Sequence, residues 1–224
     1  LLGTTSSSLP AYAYCPIVVV PYTDDEGNPM HLNNTITKVA VGSDESKWGI
    51  KALEIAADFA ATWDAELDVI SAVPKMQGVD GDQGVMDAFK EDLDVRVSPI
   101  LEKYPNLKLN KSVVPGSAVD ALTKASHTHD VVVVGSRGRG GFTGLLFGST
   151  SQGLLQHAVN PVYVVPRKYV EAAETRLDTV PSSPAEVPTK PIDDISGVEE
   201  VSVPTAGIEQ AHDIESAIDP LHKR

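Results

Sequence analysis

Asp130-Val131-Val132-Val133-Val134-Gly135-Ser136-Arg137-Gly138-Arg139-Gly140-Gly141 is the stretch that decides the fold. Four consecutive valines are β-branched and apolar on both faces of a strand. Such a run belongs in the centre of a parallel sheet covered on both sides, not at an exposed edge. Working outward, the chain alternates strand and helix signals. Residues 38–42 form a short apolar run ending in Gly42, and from Ser46, a plausible N-cap, a helical pattern carries Ile50, Leu53, Ala57 and Ala60. Residues 67–73 read as a strand and 78–84 as a flexible loop. Val85, Met86, Phe89 and Leu93 mark an amphipathic helix that Pro99 should end or kink. A strand over 107–114, a helix over 118–125 capped by Ser117, a helix over 149–158 and a strand over 161–165 complete the series. This order implies an α/β fold, a doubly wound five-stranded parallel sheet over residues 36–168. Ligands of open parallel sheets bind beyond the carboxyl ends of the strands, so the informative loops follow Val41, Ala72, Val114 and Val134.

The formal charge of the 224 residues is −13. That argues against a general binder of nucleic acid or anionic membrane, which needs an excess of Lys and Arg. The charge is unevenly placed: residues 170–224 hold 12 acidic and 4 basic side chains, six prolines and no aromatic residue. Such a segment cannot bury enough apolar surface to offset its ordering entropy, so residues 169–224 are expected to be an acidic, disordered tail. Within it, 207–218 has apolar residues near helical spacing, the pattern of a fraying polar segment or transient helix. The single cysteine, Cys15, excludes an internal disulfide and suits a reducing compartment, hence a cytoplasmic expectation. No apolar run approaches the ~20 residues of a membrane span, and no signal peptide is read.

The loop after the valine strand runs from Gly135 to Gly148-Ser149-Thr150, where a helix opens. Its glycines allow close backbone approach to a ligand. Free N–H groups, two hydroxyls and the helix dipole at the helix start suit an anion such as phosphate. Two familiar nucleotide motifs fail. A P-loop needs a Lys where Ser149 follows Gly148, and a dinucleotide fingerprint needs Gly or Ala where Thr143 stands. Gly135, two residues, Gly138, nine residues, then Gly148-Ser149 resembles instead the ATP-binding signature of the universal stress protein family. The surrounding Val-Val-Val-Gly-Ser-Arg-Gly-Arg-Gly-Gly-Phe-Thr-Gly-Leu-Leu, the later Asn160-Pro161-Val162 and Val41-Gly42-Ser43-Asp44-Glu45-Ser46 are similar to that family as well.

The resemblance covers roughly residues 36–168. It implies a Rossmann-like sheet of the adenine nucleotide alpha-hydrolase type that holds ATP, with Mg2+ or Mn2+ on the phosphates, without a catalytic triad. Position by position, it implies Ser43 and Asp44 at the end of the first strand, with Asp44 beside the nucleoside, and the backbone of Ala72 against adenine. It puts Val134 and Gly135 near the ribose, and Gly138, Gly148, Ser149 and Thr150 around the phosphates. Arg137 and Arg139 could add charge-assisted bonds. Glu45 is an extra carboxylate beside an anion site. No protein metal site and no catalytic residue is assigned.

The search for internal repeats yields a second result. Residues 1–21 laid over residues 146–166 match at ten of 21 positions without a gap. Leu1, Gly3, Thr5, Ser6, Leu9, Ala13, Pro16, Val19, Val20 and Pro21 are the identities. Residues 1–21 therefore read as the last helix and strand of a preceding domain of the same kind, and 22–35 as a linker. Leu1 in place of Met accords with a piece of a tandem two-domain protein. The family associates through its last strand, so Pro16 to Val20 is expected to lie antiparallel to the strand from Pro161 to Val165.

Other side chains invite bland readings. His127 and His129 lack the further ligands of a metal site, and a helix-end charge or surface contact suffices for them. Trp48 and Trp63 are packing residues, and Cys15 has no base beside it. Three function classes remain. The first is an ATP-binding, nucleotide-dependent stress-response module with at most slow ATPase activity. The second is an interaction protein of the same fold without nucleotide. The third is an ATP-cleaving enzyme of the wider fold, whose His-x-x-His or Ser-Gly-Gly-x-Asp-Ser signature does not occur near the first strand.

Overall fold

The valine run lies inside a six-stranded sheet. The computed structural model describes residues 4–22, 35–73, 83–138 and 147–178. The expected linker (22–35), the loop over 78–84 and the glycine loop lie partly outside these residues. Gly3, Arg139, the segment 207–218 and everything beyond 178 lie wholly outside them. In chain order the elements are α1 (Thr4–Tyr12), β1 (Ile17–Val19), β2 (Lys38–Gly42), α2 (Lys47–Trp63), β3 (Glu66–Val73) and α3 (Gln83–Lys103). There follow β4 (Leu109–Pro115), α4 (Ala118–Ser126), β5 (Val131–Gly135), α5 (Ser149–His157), β6 (Val162–Val165) and α6 (Arg167–Asp178).

The strand order is β1-β6-β5-β2-β3-β4. Five strands are parallel, and β1 is added antiparallel to β6. The chain winds outward from β2 through β3 to β4, then returns to β5 on the other side of β2. The topological switch therefore falls between β2 and β5, where such sheets bind ligands.

Strand parity builds two cores. Val39, Val41, Leu67, Val69, Val131, Val133 and Val165 pack on one face with residues of α2, α3 and α6. Ala40, Val132, Val134, Val162 and Val164 pack on the other with Leu122 and Ala125 of α4 and Leu154 and Leu155 of α5. All five residues of β5 are buried, as a central parallel strand requires.

Ser46 caps α2, its side chain accepting from Gly49 N–H at 3.0 Å, and Ser117 caps α4 by accepting from Asp120 N–H. The buried face of α2 is Gly49, Ala52, Leu53, Ala56, Ala57 and Ala60. Ile50, expected inward, is 41% exposed. The glycine and alanines let the helix backbone approach the sheet closely, and that outweighs burying one isoleucine. Pro99 does not end α3, which runs on to Lys103. Its ring removes one bond to the carbonyl of Val95, on the solvent-exposed side, while Val97 and Ile100 anchor the last turn in the core.

The expected tail boundary at 169 also needs correction. Residues 167–178 form α6, with Val170 buried in the core and Tyr169 packed beside it. Tail-like composition hid a helix with one well-placed anchor. Among the described residues no helix is long and apolar enough to cross a membrane.

The repeat recurs in three dimensions. Shifted by 145 positions, α1 coincides end to end with α5, and β1 falls on the first three residues of β6. The pairing register sets Ile17 opposite Val164, Val18 opposite Tyr163 and Val19 opposite Val162. Tyr163 is the repeat counterpart of Val18, so equivalent positions face each other across a local pseudo-two-fold axis. Lys168 of α6 lies over the rings of Tyr12 and Tyr14, 5.5 and 5.0 Å from their centroids, and joins this unit to the domain.

Tyr163 itself packs against Phe59, ring centroids 5.8 Å apart. Burial first, then Tyr169 and Cys15, raises its phenol above the ordinary value of 10.0. The folded chain thus holds this proton more tightly than the unfolded one. The contribution is fully present below pH 10 and is lost as pH climbs through the raised value. Thermal midpoints measured from about pH 9 to 11 should fall more steeply for the wild-type chain than for Tyr163→Phe. Parallel curves would show that the phenol contributes nothing to the pH dependence.

Candidate functional site

At the switch point the carboxyl ends of β2 and β5 border a cavity of about 390 Å³. This lies within the ~300–1,000 Å³ range of small-molecule sites. Its apolar lining comes from Ile70 and Ala72 of β3, Ala118 and Leu122 of α4, Val134 of β5, and Phe147. Its polar lining comes from Ser43 and Asp44 after β2, Arg137 and Gly138 after β5, and Gly148, Ser149, Thr150 and Ser151 at the start of α5. Gly42, Gly49 and Gly135 complete it.

Ten of the eleven residues singled out from sequence line this one cavity: Ser43, Asp44, Ala72, Val134, Gly135, Arg137, Gly138, Gly148, Ser149 and Thr150; the eleventh, Arg139, lies outside the described residues. Glu45, the extra carboxylate, is exposed and is not part of the lining.

Asp44 is the best-defined polar group. Its Oδ1 accepts from Ser46 N–H at 3.1 Å and from the Ser46 hydroxyl at 2.5 Å. Ser46 in turn caps α2, so the helix start fixes the carboxylate. Two glycines make room for it. A Cβ on Gly138 would come within 2.5 Å of Asp44 Oδ2, and one on Gly49 would overlap Oδ1. Neither position has a positive φ, since only Asp64 and Gly116 do among the described residues. Space, not backbone conformation, demands these glycines.

The start of α5 faces the same cavity. Gly148 is its N-cap and supplies no side-chain hydrogen bond, so no side chain of the cap competes for the first-turn N–H groups. A Cβ there would lie 3.2 Å from Ser136 O and 3.4 Å from Arg137 Cα. The helix dipole, the Ser149 and Thr150 hydroxyls and Arg137 all favour an anion at this end.

Sequence reading missed several supporting residues. Arg96 of α3, its side chain 9% exposed, donates to Ser43 Oγ at 3.2 Å, Ser71 Oγ at 3.3 Å and Asp92 Oδ2 at 2.8 Å. It ties α3 to Ser43, a cavity residue after β2, and to Ser71 near the end of β3, from a position that sequence spacing does not connect to them. Gly49 was signalled by its place inside a helical pattern, where glycine is costly without a reason. Phe147 and Leu122 carried no separate signal.

Away from the cavity, His127 is exposed at the C-cap of α4. His129 is buried, with Nε2 2.8 Å from Asp68 Oδ2 and Nδ1 2.9 Å from the carbonyl oxygen of Ala125. Among the described residues no group of three or more His, Cys, Asp or Glu side chains could hold a metal ion. Trp48 packs against the core, Trp63 is exposed beside Phe59, and Cys15 is exposed.

Comparison with known proteins agrees with this architecture. The universal stress protein Rv2623 of Mycobacterium tuberculosis is 33% identical over 169 residues, covering 73% of this chain and 55% of that protein. The chain thus spans about half the length of the curated relatives it matches. A universal stress protein from Archaeoglobus fulgidus superimposes with a TM-score of 0.53 at 23% identity, over 72% of this chain and 53% of that one. Universal stress protein UspA from Lactobacillus plantarum gives 0.51 at 18% identity, over 60% and 99%. At such identities the structural likeness concerns the fold alone. The sequence model of the universal stress protein family matches residues 35–166, more than half the sequence. With the sheet order, the switch-point cavity and the glycine spacing in accord, the chain belongs to the universal stress protein family.

Proposed function

We propose that this chain is an ATP-binding, nucleotide-dependent regulatory module of the stress-response type, working in the cytoplasm. One observation carries the reading: the glycine spacing read from sequence and the cavity at the topological switch coincide residue for residue. In this reading Asp44 lies beside the nucleoside and the Ala72 backbone contacts adenine. Val134 and Gly135 bound the ribose, and Gly138, Gly148, Ser149 and Thr150 surround the phosphates with Arg137 at hand. Mg2+ or Mn2+ would be carried by the phosphates, as hard cations prefer, since the protein offers no cage of its own among the described residues.

Among the described residues that line the cavity, the Ser149 and Thr150 hydroxyls have no general base beside them, and this reading gives the module an output in partner binding or oligomeric state, with at most slow hydrolysis. Gly138 and Gly148 keep the space beside Asp44 and Ser136 free of side chains, which lets a phosphate approach the backbone closely and supports this reading over an interaction protein without nucleotide. The doubled helix-strand unit and its pseudo-two-fold register support a tandem protein in which α1 and β1 close a preceding sheet. Self-association in this family member would then use the strands from Pro16 to Val20 and from Pro161 to Val165, without nucleic acid or membrane.

Calorimetry on the 224-residue chain tests the reading. ATP with Mg2+ should give a saturable heat, and phosphate release should stay below about 1 per second, the low end of ordinary turnover. A flat titration would reject nucleotide binding, and brisk sustained release would favour an enzyme.

A further inference from the structure

Ser136 is fully buried, with a relative exposure of 0%, and stands between two cavity residues, Gly135 and Arg137. Three elements meet at it. Its N–H donates to Val165 O at 2.8 Å, at the end of β6. Its carbonyl accepts from Gly148 N–H at 2.8 Å and from Ser151 Oγ at 3.3 Å, at the start of α5. Its hydroxyl accepts from Arg167 N–H at 2.8 Å, at the start of α6. The residue entering α6 is Pro166, which has no side-chain acceptor, so an orphan first-turn N–H is capped from another part of the chain.

α6 is well placed to pass on what happens there. Val170 anchors it in the core, Lys168 lies over Tyr12 and Tyr14 of the N-terminal unit, and Glu174 meets Lys47 of α2 at 2.7 Å. We propose that Ser136 is a positioning residue that relays occupancy of the cavity to α6, and through Lys168 to the α1–β1 unit. The proposal rests on the nucleotide reading above. A ligand that orders the Gly135–Gly138 loop and the first turn of α5 fixes the Ser136 hydroxyl, and so steadies the start of α6. By linkage, steadying α6 tightens the ligand by the same factor.

Amide hydrogen exchange in α6, followed by NMR on the full chain with and without saturating ATP and Mg2+, tests the relay. In the wild type, ATP should slow exchange at residues 167–170 several-fold. Without ATP, Ser136→Ala should speed exchange in that first turn about tenfold, the scale of one buried hydrogen bond. At saturating ATP the variant should show no ligand-dependent slowing, and Ser136→Thr, which keeps the hydroxyl, should restore it. Arg167→Pro removes the donor at a helix position that tolerates proline, and should uncouple residues 168–170 in the same way. ATP-dependent slowing that survives in Ser136→Ala and Arg167→Pro overturns the relay. Heat from ATP binding without any response in wild-type α6 overturns the relay alone. The absence of heat overturns the nucleotide reading and the relay together.

Discussion

Gly138→Val is expected to weaken ATP binding by about a hundredfold or more, a change of about 2.7 kcal/mol. Its thermal midpoint should stay within a few degrees of the wild type. The new Cβ would lie 2.5 Å from Asp44 Oδ2. Short polar side chains usually swing away from such an intrusion. Asp44 cannot do so cheaply, because the Ser46 N–H and hydroxyl hold Oδ1 and Gly49 lies against the same oxygen. The loop after β5 must move instead, and with it Gly135 and the donors around the phosphate end. Gly138 is half-buried and outside both cores, so the global fold should survive. Calorimetry with ATP and Mg2+, alongside a thermal melt, reads both quantities. Equal heats from variant and wild type would reject the assigned cradle, and a collapsed melt would move the effect from binding to folding.

The fold was largely legible because its signals are local and mutually consistent. A four-valine strand can be satisfied only between two covered faces, and β5 is buried throughout. Ser46 and Ser117 are cap residues by chemistry, and both cap. The cavity lining was legible to the extent that it lies at strand ends and glycines, which sequence spacing registers. What escaped depends on distant partners. Arg96 meets Ser43 and Ser71 only because α3 crosses the strand ends, and Ser136 caps α6 only because β5 and β6 are neighbours. Local rules also lost where tertiary packing outweighed them. Pro99 stays helical because Val97 and Ile100 are buried, and α6 forms in an acidic stretch because Val170 is.

The same competition makes Gly49→Ala the sharper test of how the site is built. Helix propensity alone predicts a gain, since alanine is favoured over glycine in a helix interior by about 1 kcal/mol. The geometry predicts the opposite. A Cβ at Gly49 would overlap Asp44 Oδ1 and lie 2.9 Å from both the backbone N and the backbone O of Asp44. Rotating the carboxylate relieves the first contact but not the other two, so either the β2–α2 loop or the first turn of α2 must shift. Overpacking of this kind costs about 1–3 kcal/mol, which for a chain of this size lowers the thermal midpoint by about 3–10 °C. The displaced loop carries Ser43 and Asp44, so ATP binding should weaken along with stability. Urea unfolding and calorimetry on the purified variant distinguish the outcomes. A variant more stable than the wild type with unchanged ATP affinity would show that Asp44 is not held in a slot between two glycines. A loss in both would tie the shape of the site to the start of α2, where the helix cap, the fixed carboxylate and the missing side chain form a single arrangement.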